Sequence, residues 1–203
     1  MNLILVRHGE TAWNVSGKYQ GQTDVPLSAA GLKQAQILAA YFPVAKVDAI
    51  YASDLKRAMV TAEYLGKKFG LTVRPEKAFR ELNFGDWEGL TYEEITAKWP
   101  EAMDNFLAHP DKLVIPNGES FAMLQDRAMA KVREMIALHP EQNVVLVAHG
   151  AVLRTILAAA LDIPLANVWR LRQYNTAISL IRYTDTMPLV EVMNSTAHLI
   201  YGE

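Results

Sequence analysis

The fold of this chain is decided by the stretch Leu3-Ile4-Leu5-Val6-Arg7-His8-Gly9-Glu10-Thr11. Four apolar residues in succession predict a buried strand, and Arg7 and His8 follow at the point where that strand ends. A phosphate ester is a dianion, so an uncharged imidazole attacks it efficiently only where fixed positive donors neutralise its peripheral oxygens. Because Arg7 can supply such a donor, the stretch indicates phosphoryl chemistry at a strand end. An ion pair beside a capped loop is the alternative interpretation of these two side chains.

The composition is that of a single globular domain. The chain has 203 residues, of which 51% are hydrophobic, so we expect one domain over residues 1–203. The formal net charge is -2 without a block of basic residues, which argues against a nucleic-acid partner. With no cysteine, the chemistry is thiol-free and a reducing, cytoplasmic location is expected. The apolar run at residues 3–6 is too short for a membrane span, so no membrane partner is expected.

Strand-like and helical patterns alternate along the chain, which predicts an α/β fold. The predicted strands lie at residues 3–6, 49–52, 71–73, 144–147, 177–183 and 189–193. The predicted helices lie at about residues 29–41, 54–70, 92–99, 121–138 and 152–161. Ser28, Thr91 and Ser120 are predicted N-caps, and either Ser53 or Asp54 is predicted to cap the second helix. The last two strands are expected to form a terminal hairpin.

A second histidine, His149, also follows a predicted strand directly. In parallel α/β sheets, ligands bind beyond the carboxyl ends of the strands, where loops from different strands converge. We therefore expect His8 and His149 to share one pocket, with Gly150 opening a helix whose N–H groups can bind an anion. Taken alone, His149 would more often be a polar residue satisfied by a local backbone bond.

Four blocks of sequence, in this order and spacing, resemble one known family. The blocks are Arg7-His8-Gly9-Glu10-Thr11 with Asn14, Ser53-Asp54-Leu55-Lys56-Arg57-Ala58 with Thr61-Ala62, Arg80-Glu81 with Gly85 and Trp87-Glu88-Gly89, and Val147-Ala148-His149-Gly150. The chain resembles the histidine phosphatase superfamily, in the branch that contains cofactor-dependent phosphoglycerate mutases and small-molecule phosphatases. The resemblance implies a single-domain three-layer sandwich, with helices on both faces of a mostly parallel central sheet. Independently of the resemblance, the pattern of elements along the chain predicts a peripheral lid at about residues 84–119.

The resemblance assigns a role to each matching residue. It implies that His8 is the nucleophile and becomes a phosphohistidine, while Arg7, Arg57 and a protonated His149 bind the equatorial oxygens. Glu81 is implied as the proton shuttle, giving a proton to the leaving alcohol and then taking one from the attacking water.

Each of these roles has a plainer alternative when the residue is considered alone. Arg57 would pair with Asp54 at helical spacing, and Glu81 would pair with the neighbouring Arg80. Asn14 can add a neutral donor to the substrate, although asparagine after a strand is most often a turn residue.

Substrate binding is further assigned to Gln20, Gly21 and Gly150. The stretch at residues 19–24 is similar to that of broad-specificity and alpha-ribazole phosphatases. Mutases of the family carry basic residues between the segments that correspond to Gly89 and Gly118 here, where this chain has only Lys98 and Lys112 against five acidic residues. We therefore favour hydrolysis of small phosphate esters, with phosphoglycerate mutase as the alternative and a phosphate-binding regulatory module as a third hypothesis.

Several other residues receive less specific interpretations. Five aromatic residues could line an apolar leaving-group site, although most could equally belong to the core: Phe84, Trp87, Tyr92, Trp99 and Phe106. His109, His139 and His198 lack the spacing of a zinc site, so we expect no metal and no cofactor. The terminal strands or apolar helix faces would support a homodimer.

Overall fold

The centre of the fold is a six-stranded sheet, seen in a computed structural model that describes residues 1–202. Its strands are β1 (Asn2–Arg7), β2 (Ala49–Ala52), β3 (Val73–Pro75), β4 (Asn143–Ala148), β5 (Ile178–Tyr183) and β6 (Pro188–Ser195). They lie in the order β3-β2-β4-β1-β5-β6. The first four strands in this order are parallel, whereas β5 and β6 are antiparallel. The mostly parallel sheet and the terminal hairpin confirm the sequence prediction.

Helices cover both faces of this sheet. They are α1 (Ala12–Val15), α2 (Ala29–Ala40), α3 (Lys56–Phe69), α4 (Tyr92–Lys98), α5 (Pro100–Ala108), α6 (Phe121–Leu138) and α7 (Gly150–Ala160). Short 3-10 helices lie at Lys77–Phe79, Gly85–Trp87, Leu165–Arg170 and Ala197–Gly202. Successive side chains of β1 alternate between the faces, so Ile4 packs with residues of α2 and α3 while Leu5 packs with residues of α6 and α7. The predicted three-layer sandwich is confirmed.

The start of α3 differs from the prediction, because neither Ser53 nor Asp54 caps the helix. The Asp54 carboxylate instead accepts two hydrogen bonds of 2.7 Å from Arg80. The helix begins at Lys56, whose backbone N–H donates to the Asp24 carboxylate at 2.7 Å. The cap is therefore supplied by a loop distant in sequence, which local pattern could not indicate.

Strand β3 begins two residues later than predicted. Gly70 ends α3 in the left-handed conformation, with φ 66°, as the sequence predicts. The N–H of Leu71 then donates to the carbonyl of Gly66 at 2.9 Å, so Leu71 completes the helix end. Pairing with β2 consequently starts at Val73.

The segment predicted as a lid, residues 84–119, contains α4 and α5. Helix α5 was not predicted, because Pro100 was interpreted as a stop, whereas it occupies the first turn of a new helix. Met103, Phe106 and Ile115 are buried in the main core, which attaches this segment firmly to the sheet. Its motion as a lid stays a prediction.

In residues 1–202, no helix has both the length and the apolar character required to cross a membrane.

Candidate active site

A cavity of about 300 Å³ opens on the edge of the sheet where β1 and β4 end. Its lining includes seven of the nine residues that the sequence assigned to the site: Arg7, His8, Asn14, Gln20, Gly21, Arg57 and Glu81. His149 and Gly150 lie directly behind that surface. The register explains this arrangement, because Arg7 of β1 pairs with Ala148 of β4, which places the next residues, His8 and His149, side by side.

His8 is held as a neutral imidazole. Its Nδ1 donates to the carbonyl oxygen of Gly9 at 2.7 Å, which leaves the lone pair on Nε2. Burial lowers the pKa of His8 well below 6.5, and the positive charges of Arg57 and Arg7 lower it further. The ring is 2% exposed, at the floor of the cavity. An unprotonated nitrogen therefore faces the space that a phosphate would occupy.

His149 is also held neutral in the ligand-free protein, whereas the protonated ring implied by the resemblance belongs to the phosphate-bound state and stays a prediction. Arg57 donates from Nε to Nδ1 of His149 at 3.2 Å, so the His149 hydrogen resides on Nε2. Burial lowers the pKa of His149 well below 6.5, and the positive charges of Arg57 and Arg7 lower it further. The ring centroids of His8 and His149 are 5.1 Å apart. Nε2 of His149 is buried and has no hydrogen-bond partner in the described structure, so its hydrogen is not used by another protein group.

Arg57 connects three parts of the site. It is 1% exposed and donates to the carbonyl oxygens of Gly21 at 2.7 Å and Thr23 at 2.8 Å, in addition to His149. Burial lowers the pKa of Arg57 to about 10, so it remains a cation at neutral pH. The alternative pairing with Asp54 is wrong, because Arg80 occupies that carboxylate.

Arg7 supplies a second guanidinium group to the cavity lining. Its Nη1 donates to the carbonyl oxygen of Gln173 at 2.7 Å, whereas its Nε is buried and unpaired in the described structure. Burial lowers the pKa of Arg7 to about 10, and the charge of Arg154 contributes to that shift. The cavity thus has a second cation at neutral pH with spare donors.

Glu81 is bound by the amino end of α7. Its carboxylate accepts the N–H groups of Ala151 at 3.1 Å and Val152 at 3.3 Å, and that of Leu82 at 2.9 Å. A helix amino end favours such an anion. The N–H groups that follow Gly150 therefore bind the Glu81 carboxylate. The sequence predicted that they would bind the phosphate, and this is not the arrangement observed. The alternative pair of Glu81 with Arg80 is also absent, since Arg80 binds Asp54.

Asn14 and Gln20 present their amide nitrogens to the cavity. Asn14 accepts the backbone N–H of Thr11 through Oδ1 at 3.1 Å, and Gln20 accepts the Thr11 hydroxyl through Oε1 at 2.9 Å. These bonds fix the amide orientation and leave both NH2 groups as donors. Gly21 has φ +52°, a conformation that places its carbonyl on Arg57.

Arg127 supports Glu81 and was not identified from the sequence. It donates to the carbonyl oxygens of Ala78, Arg80 and Glu81 at 2.8, 2.8 and 2.9 Å. It also forms an ion pair with Glu119 at 2.8 Å. The three carbonyl groups lie more than forty positions from Arg127 along the chain, so no local pattern connects them with it.

The outer wall of the cavity is largely aromatic, but only two of the five predicted aromatic residues contribute to it. Phe84 and Tyr92 line the cavity. Trp87 and Phe106 are 0% and 2% exposed and belong to the core. Trp99 packs against that core as well. The wall is completed by three residues that the sequence analysis did not select: Trp13, Lys18 and Tyr19.

The buried histidines of lowered pKa are expected to make stability fall below pH 6.5. Because burial lowers the pKa values of His8 and His149, and also that of His198, the unfolded chain binds protons below pH 6.5 that the folded protein excludes. Their contribution is complete above pH 6.5 and declines below it, by up to about 1.4 kcal/mol per pH unit for each histidine. Urea midpoints in phosphate-free buffers between about pH 7.5 and about pH 5 measure this slope.

A matched control is available in His109, whose side chain is exposed. His109→Ala should leave the slope unchanged, whereas His8→Asn should reduce it. Asp48, Asp54 and Glu119 have lowered pKa values through their hydrogen bonds and ion pairs, and their effect belongs to a more acidic range. A urea midpoint that stays constant across the histidine range would contradict the prediction.

Comparisons with known proteins identify the family. The profile of the histidine phosphatase superfamily (branch 1) matches residues 3–196. Phosphoserine phosphatase 1 of Hydrogenobacter thermophilus is 35% identical over 199 residues, covering 98% of this chain and 94% of that protein. Glucosyl-3-phosphoglycerate phosphatase of Mycobacterium tuberculosis is 38% identical over 174 residues, covering 81% and 77%. The structure of Bacillus stearothermophilus YhfR matches with a TM-score of 0.93 at 35% identity, covering 98% of each chain.

A neutral histidine between two guanidinium groups, at the carboxyl edge of an α/β sheet, is an arrangement suited to phosphoryl transfer. The chain belongs to the histidine phosphatase superfamily, branch 1. The resemblance drawn from the four sequence blocks is thereby confirmed.

Proposed function

We propose that this protein is a metal-independent phosphomonoesterase that hydrolyses small organic phosphates through a phosphohistidine at His8. The observation that carries the proposal is the state of His8, whose Nδ1 is bonded to Gly9 while Nε2 faces a cavity with two arginines. The relatives named phosphoserine phosphatase and glucosyl-3-phosphoglycerate phosphatase support hydrolysis. Alpha-ribazole phosphate and broad specificity stay narrower predictions, as does the cytoplasmic location.

The first step forms a P–N bond and breaks the ester P–O bond. The Nε2 lone pair of His8 attacks phosphorus, while Arg7, Arg57 and the N–H of His149 bind the three peripheral oxygens. In the complex with the ester, Glu81 acts as the general acid and gives a proton to the departing alkoxide, so the alcohol leaves neutral. Each preorganised donor of this kind contributes about a hundredfold to a thousandfold in turnover.

The second step returns the enzyme to its starting state. A water molecule attacks the phosphohistidine, and the Glu81 carboxylate takes the proton that this water loses. The P–N bond breaks, the electron pair returns to Nε2 of His8, and inorganic phosphate leaves. Glu81 is again protonated, ready for the next ester.

The alternative of a phosphoglycerate mutase receives less support. A mutase must hold a substrate with a second phosphate, and the two lysines between Gly89 and Gly118 do not serve this purpose. Lys98 and Lys112 are exposed side chains outside the cavity lining. Incubation with 3-phosphoglycerate and bisphosphoglycerate should therefore yield no 2-phosphoglycerate.

A common phosphoenzyme predicts a constant partition of products. When glycerol competes with water, every phosphate ester should give the same ratio of glycerol phosphate to inorganic phosphate, because each passes through the same phospho-His8. The ratio is measured for esters with different leaving groups in the presence of a chelator. A ratio that varies with the leaving group, or activity that the chelator abolishes, would contradict the proposal. Phosphoester binding without product release would instead support the regulatory module.

A further inference from the structure

The outer wall of the cavity is built by two chain segments, residues 13–19 and 84–92. Backbone hydrogen bonds join them, from Tyr19 N to the Leu90 carbonyl at 2.9 Å and from Gly89 N to the Tyr19 carbonyl at 2.8 Å. Tyr19 and Phe84 meet edge to face with ring centroids 5.0 Å apart. The wall is therefore an ordered surface, and apart from Asn14 it contains none of the groups assigned to the phosphate.

Lys18 is the cation of this wall. It lines the cavity together with Trp13 and Tyr92, and its Nζ lies 5.9 Å from the centroid of the Trp13 ring. The side chain is half-buried, and no carboxylate of residues 1–202 forms an ion pair with it. Other lysines of the chain, such as Lys46, Lys56 and Lys131, do form such pairs.

Lys18 is thus a half-buried ammonium group without a counter-charge, and it lies beside aromatic side chains in the cavity. Such a group is suited to binding an amphipathic anion. The phosphate itself is provided for by Arg7, Arg57 and His149, which leaves Lys18 for another group. One ammonium matches a single additional negative charge, whereas bisphosphorylated substrates carry more. The aromatic faces of Trp13 and Tyr92 favour a planar or apolar body between the two charged ends.

We propose that Lys18 and this aromatic wall form a subsite for leaving alcohols that carry a carboxylate, which pairs with the Lys18 ammonium. The inference rests on the proposed function, because it assigns the alcohol portion of the same ester. Lys18 acts in specificity and does not take part in the transfer of phosphorus.

Two esters that differ only in charge test the subsite. 4-Carboxyphenyl phosphate carries the additional anion, and 4-carbamoylphenyl phosphate is its neutral match in size and shape. The wild-type protein should prefer the carboxylate ester in kcat/KM by about fivefold to tenfold, the effect of one partly buried ion pair. Lys18→Met should abolish that preference while leaving the amide ester within about twofold, and Lys18→Arg should retain it. Higher ionic strength should reduce the preference in every protein that keeps a cation at position 18, and it should have no effect on the selectivity of Lys18→Met.

The control is Lys33→Met, at an exposed position of α2 outside the cavity, which should behave as the wild type. An equal loss on both esters would overturn the subsite, because it would mean that Lys18 only supports the wall. Unchanged selectivity in Lys18→Met would overturn it as well. Hydrolysis of the amide ester by Lys18→Met shows that the proposed function holds in either case, whereas a wild-type protein inactive on all esters would reject the proposed function itself.

Discussion

Replacement of His8 by alanine is expected to lower the turnover of p-nitrophenyl phosphate by about ten-thousandfold or more. The variant loses the only nitrogen that can form the P–N bond, and the remaining cations can bind the ester without cleaving it. Substrate affinity should fall much less than turnover, because Arg7 and Arg57 persist. Steady-state kinetics with a chelator present, together with equilibrium binding of the ester, provide the two measurements.

A loss of turnover through unfolding must be distinguished from a loss of catalysis, since His8 is buried. The variant His8→Asn serves this purpose, because its amide can still donate to the Gly9 carbonyl. His109→Ala is the matched control, a histidine on the surface that should not affect turnover. Turnover retained within tenfold in a folded His8 variant would rule out the phosphohistidine mechanism.

Replacement of Glu81 by glutamine should lower turnover by about a hundredfold to ten-thousandfold, with the larger loss on esters of poor leaving groups. An alkyl phosphate releases a strongly basic alkoxide that needs a proton, whereas p-nitrophenolate leaves without one. The amide keeps one oxygen for the N–H groups of Ala151 and Val152, so the position of the side chain is preserved. The ratio of the losses on an alkyl ester and on p-nitrophenyl phosphate measures the contribution of the proton.

Glu63→Gln, on the exposed face of α3, is the control for this change of charge. It should alter neither ester. Equal losses on both esters in Glu81→Gln would assign Glu81 to binding in place of proton transfer.

Much of the fold is encoded locally, and the predictions of strands and helices succeed where the residues of one segment determine its structure. The continuous apolar run at residues 144–147 predicts a strand buried on both faces, and β4 lies between β1 and β2. The Thr91 capping box opens α4 as expected. The predictions are wrong where a residue distant in sequence sets the end of an element. Lys56 starts α3 because Asp24 caps it from another loop, and no pattern near residue 54 contains that information.

The candidate site was likewise predicted only where a general rule of the fold applies, and not where a distant side chain sets the contact. The adjacency of His8 and His149 follows from a general property of parallel sheets, and the register of β1 with β4 confirms it. The neutral state of His149 in the ligand-free protein could not be predicted from the sequence, because it depends on a hydrogen bond from Arg57, ninety-two positions away. Arg127 was missed for a similar reason, since a side chain in the middle of a helix gives no sign of which carbonyl groups it will meet.

Glu88 has a consequence for how this protein could be redesigned. Its carboxylate accepts the N–H groups of Gln22 at 2.8 Å and Thr23 at 2.9 Å, and so fastens the segment around residue 88 to the one around residue 22. The proposed alcohol-binding wall is thus carried by two connected chain segments, whereas His8 and His149 lie at the ends of strands. Grafting residues 13–19 and 84–92 together, with Asn14 and Glu88 retained, should change the selectivity for the alcohol while the reaction at His8 is preserved.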